Sequence, residues 1–118
     1  MDIQYYKKQL QETVVDLMIE FMGDDEDYGF SKKDIDECEA LILNYLMALN
    51  GMEEPSNQQI MECVKELVLA LNDLNEKTDD TLIETEEREA IWEIIQNSAV
   101  ECGLTDPEDD ITEEWREW

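Results

Sequence analysis

The chain has 118 residues, 33 of them Asp or Glu and 8 Lys or Arg, with no histidine, for a formal charge of −25. A small domain needs a net charge of magnitude only about 2–8 for solubility, and the excess disfavours phosphate binding, which needs clustered Lys and Arg, and docking on an anionic membrane. The missing histidine removes Ser–His and Cys–His catalysis and most zinc ligand sets.

An apolar fraction of 42%, with three Trp, four Tyr and two Phe, is not that of a disordered acidic chain. One domain over residues 1–118 with a modest core is expected. No run approaches the ~18 apolar residues of a membrane span. The first residues lack the apolar stretch of a secretory leader, so a cytoplasmic chain is expected. Cys38, Cys63 and Cys102 are odd in number and widely spaced, without a CxxC pair. They read as reduced thiols packed as small hydrophobes.

Apolar residues recur every three or four positions, which is the helical period. In the first segment Ile3, Tyr6, Leu10, Val14, Leu17 and Phe21 form a stripe, widened by Val15, Met18 and Met22. A helix over roughly 2–22 follows, ended by Gly23, since glycine can take the left-handed conformation. Residues 24–30 read as an acidic loop. Ser31 opens a second helix with Asp34 as its reciprocal capping partner, and Gly51 is expected to stop it after Asn50. Its second half, ALILNYLMAL, is apolar nearly all round, which suits the centre of a bundle or a homodimer interface.

Residues 52–55 connect to a third helix, capped by Ser56 with Gln59 and ending near Lys77. Its stripe is Ile60, Cys63, Val64, Leu67, Val68, Leu71 and Leu74. Residues 78–85 read as a linker, with Thr85 as the next cap. The fourth helix covers about 86–102, with Glu86, Glu87 and Glu89 favouring the positive end of its dipole. Ile91, Ile94, Ile95, Ser98, Ala99 and Cys102 lie on its inner side, and Gly103 stops it. After Pro107, Asp110 or Thr112 starts a short final turn ending in Trp115 and Trp118. The expected fold is all-α: a single bundle of four main helices with a C-terminal helical turn.

The acidic loops invite comparison with a calcium-binding EF-hand loop, which needs glycine sixth and a bidentate Glu twelfth. Counting from Asp24, Gly29 falls sixth, but Tyr28 and Ile35 occupy ligand places. Counting from Asp106, Glu108, Asp110 and Glu117 fall at ligand places, but Ile111 is sixth. No tight calcium site and no cofactor are expected. Phosphate loops, GxSxG and HExxH are absent, so an enzyme is not expected.

Residues 79–118 carry a net −13, and Trp92, Trp115 and Trp118 are interleaved with the acids. Tryptophan is a frequent interface anchor. Asp109, Asp110, Glu113, Glu114, Glu117, Trp115 and Trp118 are therefore the candidate partner-binding residues. The opposing reading is that the two last tryptophans pin the chain end to the bundle.

From Leu71 onward, LNDLNEKTDD, ETEEREAIWEIIQNSAVECGL, an acidic turn and a closing REW resemble a family of small, acidic, all-helical bacterial proteins of uncharacterised function. Size, acidity and helical content are also similar to bacterial immunity proteins that neutralise basic nuclease toxins. The resemblance implies a bacterial cytoplasmic protein and carries over no site residues. The expected function is binding and neutralising a cationic protein, with two alternatives: inhibition of a nucleic-acid-handling enzyme by DNA mimicry, of the phage anti-defence type, or a structural helical domain with no dedicated cationic partner.

Overall fold

Helix boundaries follow local chemistry closely. The structure, a computed structural model, describes residues 1–23 and 29–118; most of the acidic loop expected at 24–30, including Asp24 and Tyr28, lies outside them. Helix α1 comprises Ile3–Leu10, a π-helical stretch Gln11–Val15 and Asp16–Met22; α2 is Lys32–Gly51, α3 Asn57–Lys77 and α4 Thr85–Glu101. The protein is all-α, with no strand among the described residues.

The expected caps at Ser31 and Ser56 are present. Asp34 accepts the Ser31 amide at 2.9 Å and its hydroxyl at 3.2 Å. The Ser56 amide donates to Gln59 Oε1 at 2.8 Å, and the Gln59 amide donates back to Ser56 Oγ at 3.2 Å. At α4 the cap is Glu84, not Thr85, which is the first helical residue. Gly51 is likewise the last residue of α2 rather than its stop.

The π-helical stretch changes which residues of α1 face inward. One additional residue per turn advances the helix face by one position. Upstream, Tyr6 and Leu10 are buried as the helical period requires, and Val14 and Val15 are buried within the stretch itself. Downstream, Met18 is buried and Met22 packs beside the core, both among the expected widening residues, whereas Leu17 is only partly buried and Phe21 is left 45% exposed. Thr13 contributes locally, because its hydroxyl donates to the Gln9 carbonyl inside the helix.

The helices form a closed ring, in which each touches the next and α4 returns to α1. Lys77, at the end of α3, pairs with Asp34 and Glu37 at the start of α2, so these two run antiparallel. The start of α1 meets the end of α4. There the Glu101 carboxylate accepts the Tyr6 hydroxyl and, at 3.0 Å, the Asp2 amide. These donors, the Tyr6 hydroxyl foremost, hold the Glu101 carboxyl below its ordinary range. They also offset the unfavourable placing of an acid at a helix C-terminus.

Helix α2 touches all three others. Ile35, Cys38, Ile42, Tyr45, Leu46 and Leu49 are buried, and the Tyr45 hydroxyl lies 3.0 Å from both the Ile95 carbonyl and Ser98 Oγ. Its outer side is open: Asn44 and Ala48 are exposed and Met47 is 58% exposed. Burial pushes the Cys38 thiol up to about 12 and raises Cys63 and Cys102 as well, which disfavours the reactive thiolate at all three, and none is in a disulfide. Among the described residues, no helix is long and apolar enough to cross a membrane.

Glu87, read from sequence only as an acid near the positive end of the α4 dipole, is 1% exposed, and its Oε2 has no partner among the described residues. Burial raises its carboxyl above the ordinary 4.5, and Glu84 and Glu86 add to the shift. A carboxyl raised by folding contributes stability that is fully present below the unfolded pKa and lost as pH rises through the folded one. Glu87→Gln should therefore stabilise the fold by on the order of 1 kcal/mol at pH ~7. Denaturant titrations should show that gain fading as pH falls below 4.5; an equal gain at both pH values would mean the Glu87 charge is not its source.

Candidate partner-binding surface at the C-terminal end

Beyond α4 the chain has little regular structure of its own, yet it is fastened tightly. A left-handed Gly103 (φ 115°) turns the chain, and the Leu104 amide returns to the Ala99 carbonyl at 3.1 Å. Residues 104–118 then lie across the bundle, held by three amide side chains. An amide offers both a donor and an acceptor, so each can clasp irregular backbone from both sides.

Asn57 Nδ2 donates to Thr105 Oγ1 at 2.9 Å, and its Oδ1 accepts the Thr105 amide at 3.1 Å. Gln96, on α4, donates to the Glu108 carbonyl at 2.9 Å and accepts the Ile111 amide at 3.1 Å. Asn72, buried in α3, donates to the Trp115 carbonyl at 2.8 Å and accepts the Glu117 amide at 3.0 Å. A carboxylate could accept in any of these positions but could not donate.

Asp110 organises the last turn. Its Oδ1 accepts the Thr112 amide at 2.9 Å and the Thr112 hydroxyl, and its Oδ2 lies 3.0 Å from Arg116 Nη2. The Arg116 guanidinium sits 5.4 Å from the Trp118 ring centroid, within cation–π range. Trp118 is 9% exposed and Trp115 packs partly buried against the core. The Trp118 indole N–H is itself buried, with no acceptor among the described residues.

The seven candidate residues thus divide. Asp110, Trp115 and Trp118 are engaged with the chain itself. Asp109, Glu113, Glu114 and Glu117 have exposed side chains that make no ion pair or side-chain hydrogen bond among the described residues. Arg116, the one cation in 104–118, is already committed to Asp110.

Glu114 also belongs to a feature that the sequence reading missed. With Asp106 and Glu108 it rims a groove of about 240 Å³ between the start of α3 and the C-terminal segment. Met61, Leu104, Pro107 and Ile111 line the same groove. Acid–Pro–acid at 106–108 was the available signal, but the apolar lining comes from positions 50 residues apart in the chain. Among the described residues, no three acidic or cysteine side chains gather closely enough to hold a metal ion. Compared with protein-family models, curated proteins and solved structures, the chain matches none.

Proposed function

We propose that this protein binds and neutralises a cationic protein, in an immunity or antitoxin role, using the acidic C-terminal end as its recognition surface. The observation that carries this reading is the combination of charge and fixation. A chain of −25 holds the uncommitted carboxylates of Asp109, Glu113, Glu114 and Glu117 on a segment clasped by Asn57, Gln96 and Asn72. Such fixation lowers the ordering cost of binding, and the field attracts an oppositely charged protein and raises its association rate.

The test is kinetic. Association with a basic protein partner should slow at least about tenfold between ~0.02 and ~0.3 M salt. Changing Glu113, Glu114 and Glu117 together to Gln should slow association and flatten the salt dependence, leaving dissociation nearly unchanged, because exposed rim charges act through steering. A partner that is neutral or acidic, or whose association ignores salt, overturns the reading. Unchanged rates with the triple variant would move the recognition surface away from this end.

A further inference from the structure

The groove beside the C-terminal segment joins an apolar lining to three acidic side chains. Its inner lining is apolar: Leu104 and Ile111 are buried, and Met61 is packed partly buried against the core. Its rim is anionic, and the side chains of Asp106, Glu108 and Glu114 are exposed, with no cation paired to them among the described residues. A bare cation would gain little from Met61 and Leu104. A purely apolar side chain would leave the carboxylates unanswered. The matching ligand has a long apolar stem and a cationic head.

We infer that this groove seats an arginine side chain of the cationic partner, its methylene stem on Met61, Leu104 and Ile111 and its guanidinium among Asp106, Glu108 and Glu114. The inference rests on the proposed cation-binding role and gives it an anchoring point. Arginine fits better than lysine for two reasons. Its planar fork can address two carboxylates at once, and it is more weakly hydrated than an ammonium, so less is lost when its stem settles on apolar atoms. The rim carboxylates do not converge as metal ligands would, and that spread suits a broad head group. The groove's fixed shape follows from the Asn57 and Gln96 clasps, which hold the backbone at Thr105, Glu108 and Ile111.

The experiment is a titration of the full chain, labelled at its methyl groups, with acetyl-arginine amide at low salt, followed by nuclear magnetic resonance. The methyl signals of Met61, Leu104 and Ile111 should move saturably, while those of the exposed Met47 and Ile19 stay in place. Acetyl-citrulline amide, which has the same shape without the charge, should leave all of them unmoved. Glu108→Gln with Glu114→Gln should weaken binding about fivefold, as loss of two exposed charge contacts implies. The charge-matched pair Glu20→Gln with Glu93→Gln, at exposed sites elsewhere, should not. Four outcomes overturn the inference: silent groove methyls, a response to citrulline equal to that to arginine, an equal loss from the remote pair, or tighter binding of acetyl-lysine amide. If hexa-arginine peptide binds but shifts signals only elsewhere, the groove assignment alone fails. If hexa-arginine fails to bind at low salt, the cation-binding role fails with it.

Discussion

Leu46→Ala is expected to destabilise the fold by about 2–5 kcal/mol, the largest loss from any single side-chain truncation argued from this structure. Leu46 is 0% exposed on a helix that touches all three others. Removing its isobutyl group loses the transfer free energy and leaves a cavity that four packed helices cannot readily close. Its neighbour supplies the control. Met47 is 58% exposed, so Met47→Ala should change stability by no more than about 0.5 kcal/mol. Denaturant unfolding followed by far-ultraviolet circular dichroism reads both. Similar losses for the two variants would mean that α2 is rotated or that its outer side is covered by another molecule. Leu46→Met separates volume from shape, and should cost less than about 1.5 kcal/mol.

The adjacency of Leu46 and Met47 illustrates what was legible in the chain. Period and punctuation carried most of the helix boundaries, because Ser31 with Asp34, Ser56 with Gln59, and the stops at Gly23 and Gly103 act within a few residues of themselves. The apolar run in α2 announced burial but not which side stays open. That depends on where the other helices lie. In the second half of α1, Leu17 and Phe21 were misplaced for a related reason: a π-helical turn advances the face by one residue, towards Met18 and Met22, and a strict 3.6 period cannot register it. Glu87 was read from its place near the helix dipole, a local effect, whereas its burial is tertiary.

The candidate site was legible in charge and illegible in construction. Acid enrichment at the chain end marked Asp109, Glu113, Glu114 and Glu117. Nothing local marked Asn57, Asn72 or Gln96 as clasps, because an exposed-looking amide in a helix is unremarkable until a distant segment's backbone is beside it. Asn72 bonds to residues 43 and 45 positions away. Nothing local showed how Trp118 sits either. In the fold its ring packs against the core and lies beside the Arg116 guanidinium.

Asn72 is where stability and recognition can be separated most sharply. Asn72→Ala removes two hydrogen bonds and strands the Trp115 carbonyl and the Glu117 amide. At about 1 kcal/mol for each bond, plus part of the cost of unmet partners, the loss should be about 2–3 kcal/mol. The end of the chain should loosen with it, seen as a red shift in Trp118 emission and faster hydrogen exchange at the Glu117 amide.

Asn72→Asp carries the argument further, because it preserves size and the acceptor for Glu117 while turning the donor into an oxygen facing the Trp115 carbonyl. At neutral pH this variant should be less stable than Asn72→Ala, since it sets a buried charge against a carbonyl in a molecule already at −25. Once protonated, however, the new carboxyl regains a donor. Its folded pKa is therefore raised, so the stability it contributes is fully present below the unfolded carboxyl value of about 3.9 and is lost as pH rises through the folded value. Relative to the parent chain, the deficit should shrink between pH ~7 and pH ~4 for Asn72→Asp and stay nearly constant for Asn72→Ala. Equal deficits at both pH values would show that the amide's donor is not what holds Trp115. A change below about 0.5 kcal/mol in both variants would show that the clasp does not hold the segment at all.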